Sequence, residues 1–209
     1  MYMSLIEQDK ESQNKPLSAV LRARELLRDV TPLNSDCGKL CGRACCDVDD
    51  PNAGMLLFPG EETLYTDWRL IRLEGFPNTP VPLLHCSGEC DRNDRPLACR
   101  VAPLIPAIRR GKVSVEMDRR CGEMCPLVEH GITALRQDFV QAVRDAAQIL
   151  ADDPVCCDYV RRLTIHLDMA KRLLASIIAP ERPAAAQGSR FQLNHADDIS
   201  AEEQRDVQQ

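Results

Sequence analysis

Apolar residues recur along this chain in helical rhythm at its two ends, and no long rhythm survives between them. Leu17, Val20, Leu21 and Leu27 share one face of a helix running to about Asp29, which Pro16 can open because a first turn has no use for its missing N–H. Ile132, Leu135, Phe139, Ala142, Val143, Ala146, Ile149 and Leu150 recur at three- and four-residue steps, and Asp152-Asp153-Pro154 closes that helix. Another begins near Pro154, with Cys156, Val160, Leu163, Leu167, Ala170, Leu174 and Ile177 on one stripe. Two amphipathic helices in succession predict an antiparallel hairpin over 131–178.

From Val30 to about Ile105, Gly, Pro, Asp and Asn interrupt every run. The segment 60–68 predicts a short helix, and 69–74 and 83–86 predict short strands. Gly111-Lys112, set between an apolar run and the alternating Val113, Val115 and Met117, predicts a β-hairpin over 107–118. The expected fold is α+β: a loop-rich centre with short strands, an N-terminal helix and a C-terminal helix hairpin. Residues 1–15 and 180–209 carry no period and are expected to be disordered, leaving one domain over 16–179.

Composition sharpens this picture. The 209 residues hold eleven cysteines against eight aromatics, an inversion that points to sulfur chemistry. Twenty-six lysines and arginines face 32 acids, a net charge of −6 that argues against nucleic acid as a partner. No run approaches the roughly 18 apolar residues of a membrane span. The first residues lack a secretory pattern, so the expected compartment is the reducing cytoplasm, where clustered cysteines bind metal or carry redox chemistry more often than they form disulfides. A secreted, disulfide-stapled domain is further opposed by the odd cysteine count.

Nine cysteines lie between Cys37 and Cys125, and their spacing repeats. Cys37/Cys41, Cys41/Cys45, Cys86/Cys90 and Cys121/Cys125 are each Cys-x3-Cys, and in three of the four a glycine follows the first cysteine. Glycine there permits positive φ, which would turn backbone N–H groups toward sulfur. Cys46 adjoins Cys45, and Cys99 is flanked by Arg95 and Arg100. Between Arg92 and Arg120, eight basic residues outnumber three acids, and positive charge beside thiolates favours their ionised form. Arg95 and Arg100, which bracket a cysteine, are the basic residues expected to face a cofactor. Four thiolates complete one tetrahedral zinc or one iron–sulfur cluster, so Cys37, Cys41, Cys45, Cys46, Cys86, Cys90, Cys99, Cys121 and Cys125 could supply two sites. The cysteine number, the glycines, the basic surround and the Cys125-Pro126 ending tilt the choice toward iron–sulfur, [4Fe–4S] first, with zinc the alternative.

The order of Cys37-x3-Cys41-x3-Cys45-Cys46, the Cys86/Cys90 pair, and Arg95-Pro96-Leu97-Ala98-Cys99-Arg100 with Pro103 resembles the YkgJ-type cysteine-cluster family of zinc- or iron-chelating proteins. The x3 spacings depart from that family's tighter opening. Its similarity to flagellin lysine N-methylases implies a cluster-dependent protein lysine N-methyltransferase as a further alternative, with a protein substrate or partner. No glycine-rich nucleotide loop after a strand accompanies it.

Other signals point to packing. Cys156 falls on the apolar stripe and reads as a small buried hydrophobe, and Cys157 lies off it. His85, His130, His166 and His195 are isolated. Phe58, Tyr65 and Trp68 read as core, and Asp47, Asp49 and Asp50 as a turn.

Overall fold

The computed structural model describes residues 15–46, 54–66, 70–73, 81–85, 88 and 90–178. Cys86, Trp68, His195, the Asp47–Asp50 turn and both expected disordered ends, apart from Lys15, lie outside them. The helices are α1 (15–26), α2 (Gly38–Cys41), α3 (Leu97–Val101), α4 (Leu127–His130), α5 (Gln137–Asp152) and α6 (Pro154–Ile178). The strands are β1 (Gly54–Leu56), β2 (Leu70–Leu73), β3 (Val81–His85), β4 (Leu104–Arg109) and β5 (Lys112–Met117), with single 3₁₀ turns at Ala44–Cys46, Glu61–Leu64, Arg119–Cys121 and Ile132–Ala134. The α+β class expected from the sequence is the one observed.

β3 is the middle strand of a three-stranded antiparallel sheet, with Met55 opposite Leu84 on one side and Ile71 opposite Leu83 on the other. β4 and β5 form the expected hairpin, in register from Leu104↔Met117 to Arg109↔Lys112. Its turn is Arg110-Gly111, one residue earlier than expected, with φ of 53° and 77°. Two left-handed residues match the strands' right-handed twist, and Lys112 is freed to open β5.

α5 and α6 pack on each other and on this hairpin, and their buried stripes form the main core around Phe139, Val143, Leu150, Cys156, Val160 and Leu163. Cys156 is fully buried, as its place on the stripe implied, and its thiol faces the Pro16 carbonyl at 3.7 Å. Phe58 meets Tyr159 with ring centroids 5.2 Å apart at 55°, a tilted aromatic contact that ties the central region to α6.

Three details depart from the periodicity. α5 begins at Gln137, because Ile132 and Leu135 belong to a 3₁₀ turn and its exit. On α1 the buried face is Ala19, Val20, Ala23, Arg24 and Leu27, whereas Leu21 is exposed. Leu167 is the last buried residue of α6 among the described side chains: Ile165, Met169 and Leu173 face outward, Ala170 is exposed, and Leu174 and Ile177 lie outside the described side chains.

α6 also completes a strand edge. The outward N–H of Ile108 donates to Thr164 Oγ1 at 3.1 Å, and the Thr164 hydroxyl donates to the Val160 carbonyl at 2.7 Å. Thr164→Val would keep the shape but orphan that buried N–H, at a cost of about 1–3 kcal/mol. Urea titration should register this loss, and Thr164→Ser should recover most of it.

A partly exposed charge network closes the same face. Arg109 donates to both Asp168 oxygens at 2.9 and 2.7 Å and to Glu116 at 3.1 Å, and Lys171 reaches Glu116 at 3.0 Å. Arg109 holds Asp168 below the usual carboxylate range, and Arg109 and Lys171 together do so for Glu116 against its partial burial. A depressed folded-state pKa gives stability that is complete above the unfolded carboxylate range and is lost as pH falls through the folded values. Stability measured from pH 6 down to about pH 2 should therefore fall less steeply in Arg109→Gln, with a difference of about 1 kcal/mol or less at neutral pH.

Candidate metal centre

The cysteines sit on short turns whose geometry the sequence sets locally. Asp36 accepts the Gly38 N–H at 3.0 Å and starts α2, whose single turn stands between Cys37 and Cys41. Gly42 (φ 57°) and Arg43 (φ 62°) are then left-handed in succession, and Arg43 N–H closes the turn on the Gly38 carbonyl at 3.0 Å. A β-carbon makes this conformation costly at Arg43. The chain re-enters a 3₁₀ turn at Ala44–Cys46, where the vicinal Cys45 and Cys46 place their sulfurs 4.0 Å apart. Of the glycines that follow a first cysteine, only Gly42 takes positive φ. Gly38 lies in α2, and Gly122 is right-handed at −57°. The chain instead makes ordinary helical turns at these two, with Cys125 N–H donating to the Cys121 carbonyl at 2.7 Å.

The turns bring eight cysteines into one electrostatic neighbourhood. Cys37 interacts with Cys41 and Cys125, Cys125 with Cys121, and Cys45 with Cys46, Cys41 and Cys99. Arg95 is hydrogen-bonded to Cys90 and lies beside Cys46 and Cys99. Cys45 is exposed and the other seven are half-buried, and all ten described cysteines are free thiols. Cys86 is the one expected ligand outside the described residues. Among the described residues, no three Cys, His, Asp or Glu side chains converge closely enough to enclose an ion.

Electrostatics divides these thiols. The Cys45 hydrogen bond lowers Cys46 to about 6, assisted by the positive Arg95 and Arg43 and opposed by partial burial. The same contact, followed by burial, pushes Cys45 up. Burial followed by Asp118 raises Cys121 to about 11, and burial followed by Asp36 raises Cys37. These contributions favour the thiolate at Cys46 within the pair, and the Arg95 charge accounts for part of that.

The arginines expected to face a cofactor part company. Arg95 is on the sulfur side, and its Nε is buried with no acceptor among the described residues. Arg100 instead donates to three carbonyls, of Arg95 at 2.9 Å, Arg24 at 3.2 Å and Asn93 at 2.8 Å. Behind it lies a buried assembly that periodicity did not single out. Glu61 accepts the N–H groups of Leu97 at 2.7 Å and Phe58 at 3.1 Å and meets Arg24 at 3.3 Å. Arg24 also donates to Tyr65 Oη at 3.1 Å and to the Asn93 carbonyl at 2.9 Å. A charged residue between Val20 and Leu27 on an apolar stripe was the signal available for Arg24. Glu61 carries no such signal, falling within the 60–68 segment that predicts a short helix.

The donor set is thiophilic in type, since Cys46, Cys90 and Cys99 lie beside a guanidinium whose buried Nε has no acceptor among the described residues. No protein-family model matches this chain, and no curated protein and no solved structure shows significant similarity to it. In the reduced, metal-free protein Cys46 should be the cysteine that iodoacetamide alkylates fastest near neutral pH. Cys45→Ala should slow that reaction most, and Arg95→Gln by up to about tenfold, the equivalent of about one pKa unit. Peptide mass spectrometry over a time course distinguishes the sites.

Proposed function

We propose that this chain is a metal-binding cysteine-cluster protein that holds one or two iron–sulfur clusters through thiolates. The observation that carries the reading is the gathering of eight cysteines from segments far apart in sequence into one neighbourhood, with Cys37, Cys46, Cys90 and Cys99 beside Arg95, whose buried Nε has no acceptor among the described residues. Cys37, Cys46, Cys90 and Cys99, which interact with Arg95, would be the ligands on its side, with Cys41 and Cys45 from the same turns and Cys86 added by its place in the Cys86/Cys90 pair. A cluster bound there would supply electron transfer or Lewis acidity, and Arg95 would offset part of its negative charge and donate to sulfur. The resemblance to YkgJ-type chelating proteins supports the same reading. Free thiols in this number suit a reducing compartment such as the cytoplasm.

A structural zinc is the second reading, and one observation favours it. Cys37/Cys41 and Cys121/Cys125 are two helical-turn pairs, and Cys37 interacts with Cys125, so these four thiols would be the two knuckles that a tetrahedral ion draws together.

Metal and acid-labile sulfide analysis of anaerobically purified protein, with its visible spectrum, separates the two. Iron with sulfide and a broad visible band is the expected result, and Cys46→Ser or Cys99→Ser should lower bound iron where Cys157→Ser does not. Zinc without sulfide would establish the second reading. Less than about one metal per chain, with folding unchanged by chelator, would overturn both.

A further inference from the structure

The buried arginines belong to a second feature, separate from the thiols. A cavity of about 390 Å³ is lined by Leu21, Arg24, Arg28, Tyr65 and Arg100 and by the exposed acids Glu25 and Asp94. We propose that this cavity binds a small oxyanion, a carboxylate or phosphate group on a small molecule, through the paired guanidinium groups of Arg24 and Arg100.

Three observations carry the assignment. The two guanidiniums lie side by side, because both donate to the same Asn93 carbonyl, Arg24 at 2.9 Å and Arg100 at 2.8 Å. They are only 8% and 9% exposed, and among the described residues Glu61 is the single buried carboxylate against them, so the described floor of the cavity carries an excess positive charge. The Arg100 hydrogen bonds all go to neutral carbonyls, which satisfy its donors without cancelling its charge. The acids at the cavity do not supply the missing charge. Glu25 is drawn to Arg28 at 2.7 Å, and the Asp94 contact to this floor is through its carbonyl, which accepts from Tyr65 Oη at 2.8 Å.

Two guanidinium charges thus meet at one neutral carbonyl, and an anion between them would offset their mutual repulsion. Among the described residues each Arg100 Nη donates once, leaving a further N–H on each, and the backbone contacts hold the planar groups fixed for bidentate recognition. The volume suits a small organic acid or phosphate ester rather than a polymer.

The test is thermal melting and calorimetric titration of the intact chain with phosphate, succinate and chloride at matched ionic strength. Saturable binding of phosphate or succinate is expected, with the melting point raised about 3 °C at tenfold excess over Kd. Whichever anion responds identifies the favoured oxyanion. Arg100→Gln should weaken binding by at least about tenfold. Because that variant also removes fold contacts, Leu21→Trp provides an independent arm: position 21 is 44% exposed on a helix, and the larger ring should occupy the cavity and weaken binding similarly in a folded protein. No shift beyond that of chloride, or unchanged binding in Leu21→Trp, would overturn the proposal.

Discussion

The centre of this protein is organised by a carboxylate that solvent does not reach. Glu61 has no exposed surface, and burial pushes its pKa up despite two backbone N–H donors and Arg24. Each of its partners belongs to a different piece of chain: Phe58 beside β1, Leu97 at the start of α3, and Arg24 on α1. In a region whose own buried apolar cluster is only Leu57, Tyr65 and Leu84, such a hub supplements hydrophobic packing with directional contacts. Charged hydrogen bonds of this kind fix geometry more than they add net stability, since desolvation offsets much of their attraction. Arg92 extends the arrangement by donating to the carbonyls of Arg28 at 2.7 Å and Val30 at 2.8 Å past the end of α1.

The result is a division of labour. β4, β5, α5 and α6 supply a core held by ordinary apolar burial. α1 and α3 contribute to that core on one side and, through Arg24 and Arg100, to the polar hub on the other. The cysteine turns are attached to this frame: Cys99 rides on α3 between the buried Leu97 and Val101, and Arg95 precedes it by one helical turn. The side chain that faces sulfur and the one that faces the hub are therefore five residues apart in one short segment, 95–100. A single helical turn separates a candidate metal site from a buried ion network.

The helices were legible because apolar spacing determines which face is buried, and Phe139, Val143, Leu150 and Leu163 lie where that spacing puts them. The β4–β5 hairpin was legible from alternation, with its turn misplaced by a residue because Arg110 accepts a left-handed conformation usual for glycine or asparagine. Leu21 shows the limit of the method. It continues an apolar stripe, but Arg24 takes the inward position for the sake of Glu61, a partner 37 residues away that no local window contains. The grouping of Cys37 with Cys125, and of Cys90 with Arg95, likewise depends on tertiary placement. Residue types and spacing identified the cysteines, while the separation of Arg95 from Arg100 needed the fold.

α2 and the 3₁₀ turns at Ala44–Cys46 and Arg119–Cys121 bury no residue at all. Segments with so little burial open at a free-energy cost far below that of global unfolding. The sulfur-bearing turns can therefore sample open states while Phe139 and its neighbours stay packed, so the frame need not melt for the cysteines to rearrange. Local excursions then add to the partial exposure these thiols already have, and the cysteine turns exchange with solvent on a shorter timescale than the helices beneath them.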